Sequence, residues 1–124
     1  MNASAADSAV CAPQVFDGDH WHHDSALLIA GEHIVGLAPI ASLPPELPRT
    51  TLSSGMLAPG FVDLQVNGGG GLLFNNAPTP DTLLHIAASH RRYGTTGLLP
   101  TLLSDTQAVL RTGANAVREA RRQL

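Results

Sequence analysis

The sequence predicts a mixed α/β chain in two parts, and three observations carry that reading. Up to about residue 58, short apolar runs alternate with turn-forming residues, the pattern of several short strands. From Phe61 onward the order is apolar run, helical stripe, apolar run, helical stripe. The spacing of that second part suits a strand–helix–strand unit, which implies parallel strands with a helix packed on one face. The expected organisation is a flexible tail over residues 1–13, a β-rich part over 14–58 and a second α/β part over 59–124.

Each element follows from local chemistry. Residues up to about 13 are small and polar and read as a tail. QVFD is a candidate strand, DGDHWHHD a polar turn region and SALLIA a short apolar strand. GEH turns the chain tightly into HIVGLA, so Ser25 to Ala38 reads as a hairpin. SLPPELPRT carries three prolines, which excludes a helix and marks a connection. TLSSGMLAPG adds a short strand and a Pro-Gly turn, and FVDLQVN is the next strand. A helix then starts near Thr79 or Asp81, either of which can cap it, and Gly94 stops it. TTGLLPTL is the second strand of the unit, ended early by Pro100. The last helix is expected to be capped by Ser104 or Asp105, with Gly113 a weak point inside it.

Composition narrows the function. With 44% hydrophobic and 14% charged residues the chain suits a folded protein. A formal net charge of −3 gives no electrostatic reason to expect nucleic acid or an anionic membrane as partner. All seven basic residues are arginine, six of them from Arg91 onward, where a solvated helix face accounts for them. A single cysteine, Cys11, forms no internal disulfide, and a reducing, cytoplasmic compartment is the simpler expectation. The N-terminus lacks a basic, apolar signal pattern, and no stretch reaches the roughly 20 apolar residues of a membrane span.

The chemistry concentrates in FVDLQVNGGGG, Phe61 to Gly71. Strict alternation would place Phe61, Asp63, Gln65 and Asn67 on one face and Val62, Leu64 and Val66 on the other. The aliphatic face would then meet the covering helix. A carboxylate and two amides would gather toward the strand's carboxyl end, where α/β proteins bind ligands. Gln65 and Asn67 are therefore the candidate pocket-lining residues. The glycines do not make a nucleotide loop. The spacing for a dinucleotide fingerprint fails at Leu73 or Phe74, and a phosphate loop needs a lysine, of which there is none.

Competing constellations are weaker. His20, His22 and His23 with Asp19 and Asp24 have a metal-like composition, but a polar hairpin segment explains them without a metal. His85 and His90 stand five apart on a helix and do not share a face well. Thr101 lies near the end of the second strand and could line a pocket. Trp21, the only tryptophan, is expected to pack on the β-rich part.

LAPGFVDLQVNGGGGLLFNN, followed about thirty residues later by GTTGLLPTL, resembles the N-terminal part of N-acetylglucosamine-6-phosphate deacetylases of the amidohydrolase superfamily. The superfamily pattern is Pro-Gly-x-x-Asp-x-His-x-His. Here Pro59, Gly60 and Asp63 are kept, and Gln65 and Asn67 stand where the histidines would be, a replacement known in one branch of the deacetylases. The resemblance implies a small β-sandwich portion followed by the first two βα units of a TIM-type (β/α)8 barrel, incomplete in this chain. It implies hydrolysis of the acetamide of N-acetylglucosamine 6-phosphate by a metal-dependent amide hydrolase that forms a homodimer. Amides are poor ligands for a zinc-type ion, so one position of a binuclear site would be lost. A single divalent ion (Zn or similar) would be held by a Glu and two His, with an Asp as acid/base. All four are expected beyond Leu124, so this chain alone would hold no metal, contain no catalytic residue and be inactive. The alternatives are another amidohydrolase, dihydroorotase-like or imidazolonepropionase-like, or a non-catalytic binding or assembly module reusing the front of the fold.

Overall fold

The computed structural model describes residues 6–123 and is mixed α/β with mostly strands. The chain divides into two compact units between Pro59 and Gly60.

The first unit is one sheet of five strands: β1 (Ser8–Phe16), β2 (Trp21–Ala30), β3 (His33–Pro39), β4 (Arg49–Thr51) and β5 (Met56–Leu57). β1 pairs antiparallel with β2, and β2 with β3. β4 and β5 both run parallel to β1 on its other edge. The β2–β3 hairpin turns through Gly31 and Glu32, with φ of 58° at Gly31, the pattern of a type II′ turn. A buried cluster of Ala9, Cys11, Ala26 and Leu28 is covered by Leu43 and Leu47 from the proline-rich connection. Among its described residues this unit has one sheet, so the expected sandwich portion is represented by a single layer.

The tail expected over residues 1–13 is corrected. Strand begins at Ser8, the Asp7 N–H donates to Ile29 O at 2.9 Å and the Ala9 N–H donates to Pro48 O at 2.9 Å. Ala9, Cys11 and Ala12 are buried. Small side chains look like tail composition, yet here they let a central strand pack closely beneath Leu43 and Leu47. Residues 1–5 of that expected tail lie outside the described residues. The polar turn is also shorter than expected, since Trp21 to Asp24 belong to β2 and Trp21 stacks across the hairpin on Phe16 at 5.0 Å. Trp21 stays half exposed.

The second unit runs β6 (Phe61–Val66), the small strands β7 (Gly68–Gly69) and β8 (Leu72–Leu73), α1 (Pro80–Arg91), β9 (Thr95–Pro100) and α2 (Gln107–Ala120). β6 and β9 pair in parallel across α1, as the spacing implied. Val66, Phe74, Leu83, Ile86, Ala116 and Ala120 form the core, with Leu98, Leu102 and Val117 against it. Thr79 caps α1, its hydroxyl accepting from the Thr82 N–H at 3.2 Å, with Pro80 in the first turn. The cap of α2 is Thr106, not Ser104 or Asp105, and its Oγ1 accepts from Val109 N–H at 3.3 Å. Asp105 is unavailable as a cap because its carboxylate is engaged by Asn75 and by the Thr106 N–H. Gly113 does not weaken α2 without return. A Cβ there would lie 2.5 Å from Leu102 Cδ1, so glycine lets the helix settle on Leu102.

Candidate functional site at the carboxyl end of the parallel strands

Alternation along β6 is broken, and that reassigns its faces. Asp63 pairs with Leu98 and Val66 with Pro100, so three steps on β6 match two on β9. This is a β-bulge at Leu64 and Gln65. A second irregularity, Phe61 opposite Thr95 and Val62 opposite Gly97, leaves Thr96 as the extra residue on β9. The bulge puts Asp63 and Val66 on the same side as Leu98, the side the helices cover. Val66 is buried in the core, and Asp63 Oδ2 lies 4.0 Å from His90 Nδ1 of α1. The expectation that Asp63 shares a polar face with Gln65 and Asn67, opposite an aliphatic face under the helix, is therefore overturned. Val62, Leu64 and Leu99 are instead 66%, 70% and 56% exposed.

The two candidate residues behave differently. Gln65 lies in the bulge and is exposed. Its backbone N–H donates to Asp63 Oδ1 at 3.2 Å, and no hydrogen bond joins its side chain to another described residue. Asn67 is half-buried just past the end of β6. Its Nδ2 donates to Thr101 O at 2.9 Å, while the Thr101 N–H donates to Val66 O at 2.8 Å. The Asn67 side chain thus extends the ladder by one rung beyond Pro100, which has no N–H to give. Among the described residues nothing donates to Asn67 Oδ1. The end of the strand pair therefore offers a free amide at Gln65 and an acceptor at Asn67, neutral groups that suit hydroxyls or an amide rather than a charge.

The four glycines close a hairpin and let it touch α1. Gly70 and Gly71 have φ of 59° and 82°, the two positive values of a type I′ turn between β7 and β8. His85 Nε2 donates to Gly70 O at 3.1 Å and His90 Nε2 to Gly68 O at 3.0 Å. A Cβ on Gly70 would lie 2.2 Å from Ser89 Oγ, and one on Gly69 2.8 Å from His90 Nε2. The bare backbone is needed for the protein's own helix. The two histidines bond the same hairpin although they do not face one way on the helix. The excess of glycine opposite a histidine-bearing helix was the sequence signal for this contact.

Sequence reasoning missed Asn75. Its Oδ1 accepts from the Leu103 N–H at 2.8 Å, and its Nδ2 donates to Leu103 O at 3.2 Å and to Asp105 Oδ2 at 3.0 Å. The Asn75 amide, then the Thr106 N–H, hold the Asp105 carboxyl below the usual carboxylate range.

In the histidine-rich turn the acidic and imidazole groups bond one another and the backbone. Asp17 Oδ1 accepts from the backbone N–H groups of Asp19 at 2.9 Å and His20 at 2.8 Å. His22 Nε2 donates to Asp17 Oδ2 at 2.7 Å, and these partners, the His20 N–H foremost, hold Asp17 far below the usual carboxylate range. Among the described residues no group of three or more His, Cys, Asp or Glu is arranged to hold a metal ion. Gln65 and Asn67 do not fit one either: both are neutral amides, and Asn67 has an N–H committed to Thr101.

Two grooves lie elsewhere. A largely apolar one of about 600 Å³ in the first unit is lined by Val15, Leu27, Ile34, Leu37 and Leu57 among others. One of about 330 Å³ in the second unit runs between α1 and β9, past Arg91, Arg92, Thr95 and Thr96. Neither includes Gln65 or Asn67. No helix among the described residues is long and apolar enough to cross a membrane.

No protein-family model matches the chain. It is 51% identical over 75 residues to an N-acetylgalactosamine-6-phosphate deacetylase of Shewanella sp. (strain ANA-3), covering 60% of this chain and 19% of that protein. It is 32% identical over 96 residues to an N-acetylglucosamine-6-phosphate deacetylase of Haemophilus influenzae, covering 77% and 25%. The crystal structure of N-acetylglucosamine-6-phosphate deacetylase from Pasteurella multocida matches with a TM-score of 0.88 at 27% identity, covering 94% of this chain and 31% of that one. A substituted Mycobacterium smegmatis N-acetyl-D-glucosamine-6-phosphate deacetylase, solved with N-acetyl-D-glucosamine-6-phosphate, matches with a TM-score of 0.79 at 29% identity, covering 94% and 30%. The chain spans about a fifth to a quarter of the curated relatives it matches. Those curated homologues and structural neighbours are N-acetylglucosamine- and N-acetylgalactosamine-6-phosphate deacetylases, the family that the motifs between Leu57 and Leu102 resemble.

Proposed function

We propose that this chain supplies one wall of the sugar site of an amide hydrolase that deacetylates an N-acetylated amino-sugar 6-phosphate, N-acetylglucosamine 6-phosphate foremost, to the free amine and acetate. The observation that carries the reading is the Gln65–Asn67 pair at the carboxyl ends of two parallel strands, the end at which α/β sheets bind ligands. Gln65 would donate to and accept from a hydroxyl or the acetamide, and Asn67 would orient the sugar through its free Oδ1. The strand–helix–strand–helix unit is read as the first part of a (β/α)8 barrel, with the cytoplasm as location and a homodimer as assembly. In this reading the hydrolytic residues and any divalent metal lie outside the residues described, and no step of the reaction is assigned to a metal on this chain.

The test compares two proteins. One is the 124-residue chain alone. The other is a chimera in which this chain replaces the matching stretch of the Shewanella relative. The chimera should release acetate from N-acetylglucosamine 6-phosphate or its galactosamine counterpart, and the chain alone should release none. A folded chimera without acetate release, or a chain active by itself with stoichiometric zinc, would overturn the proposal.

A further inference from the structure

Two asparagines tie the connection after β6 to the segment after β9, and the second is the more heavily engaged. Asn75 treats Leu103 as a strand partner would, accepting from its N–H at 2.8 Å and donating to its carbonyl at 3.2 Å. Its Nδ2 also meets Asp105 Oδ2 at 3.0 Å. A carboxylate only accepts, so it selects the Nδ2 side of the amide and leaves Oδ1 for Leu103. Asp105 is itself held by the Thr106 N–H at 2.7 Å. On the other side, Phe74 is 1% exposed and anchors Asn75 in the core, and its N–H donates to Asn67 O at 2.8 Å. The Asn67 side chain reaches the same far segment through Thr101 O. The backbone and the side chain of Asn67 thus belong to one closed circuit, which Asn75 completes.

We infer that Asn75, oriented by Asp105, is a positioning residue: it locks the segment from Thr101 to Asp105 and so fixes where Asn67 presents its amide. The assignment rests on the reading that Asn67 meets the sugar. The locking bonds are exposed, whereas the core beneath is apolar, so cutting them loosens the rim without melting the unit.

The test follows amide hydrogen exchange and side-chain amide resonances in the isotope-labelled full chain. Asn75→Ala should speed exchange at the Leu103 amide about tenfold, the loss expected for one freed hydrogen bond, and should shift the Asn67 side-chain signals. The Leu83 amide, which donates to Thr79 O within α1, should stay protected. Asn75→Asp sets two carboxylates together and should loosen Leu103 as well. Combining it with Asp105→Asn restores a donor and an acceptor between the two side chains but leaves Leu103 O without its donor, so it should restore protection in part. If Asn75→Ala also unprotects Leu83, the exposed Asp105→Ala is the substitute, with about threefold faster exchange at Leu103 expected. Unchanged Leu103 exchange in the folded single variants, an unmoved Asn67 signal, or no rescue in the double variant would overturn the assignment. Failure of the sugar reading is separable: Asn67→Ala would then leave acetate release by the chimera intact while the exchange results stand.

Discussion

The two faces of the β6–β9 pair differ sharply for strands of similar composition. The face toward α1 and α2 is a finished core: Phe74 and Ile86 are each 1% exposed, with Val66 and Leu83 beside them. The other face shows Val62, Leu64 and Leu99 to solvent. Hydrophobic side chains alone therefore do not say which side of a strand is buried. The bulge at Leu64 and Gln65 decides it, because one extra residue carries Asp63 to the helix side and moves an aliphatic pair to the open one. An apolar open face of this kind is a surface for other chain or another molecule to cover.

That contrast yields an ordered set of expectations. Phe74→Ala should cost about 3–5 kcal/mol in denaturant unfolding of the chain, since it empties a fully packed site. Leu64→Ala on the open face should change stability by no more than about 0.5 kcal/mol and should reduce self-association. A cost of several kcal/mol at Leu64 would show that this face is covered in solution.

Gly70→Ala comes next, at about 1–3 kcal/mol, because it combines a left-handed backbone with a Cβ 2.2 Å from Ser89 Oγ. Gly71→Ala meets only open space and should cost about 1 kcal/mol, from its backbone alone. Equal costs would mean that contact with α1 does not constrain the hairpin. Thr79→Ala should lose about 1 kcal/mol through its cap on α1.

The smallest effect is one of pH. Asp105 has a carboxyl held low in the folded chain, so its contribution is full above the unfolded value of about 3.9 and fades as pH falls through the folded value. Leu103 exchange, corrected for intrinsic rates, should therefore accelerate only at strongly acidic pH, and Asn75→Ala should abolish that dependence. A loosening centred near neutral pH would point to a histidine instead.

Much of the fold was legible because it rests on local signals. Gly31, the prolines from Pro44 to Pro48 and the stripe ending at Gly94 mark the elements directly. Ser8 to Pro13 were not legible as strand, since small side chains fit a tail and a central strand equally. The β6 bulge was hidden for a different reason. Register is settled between strands, and β6 alone reads as clean alternation. Gln65 and Asn67 stood out as amides at a strand end. Asn75 did not, because its partners lie 28 residues along the chain. His85 and His90 were set aside as a pair on helix geometry, yet the glycine hairpin reaches both.

The central claim is that the amides of Gln65 and Asn67 face the amino sugar. The measurement that tests it most directly is acetate release from N-acetylglucosamine 6-phosphate by the chimera carrying Gln65→Ala or Asn67→Ala. Gln65→Ala should keep its melting behaviour, Asn67→Ala should lose only about 1 kcal/mol of stability through its bond to Thr101 O, and each should lose about tenfold or more in kcat/KM, the equivalent of one hydrogen bond lost in the transition state. Undiminished kcat/KM in both variants would contradict the account.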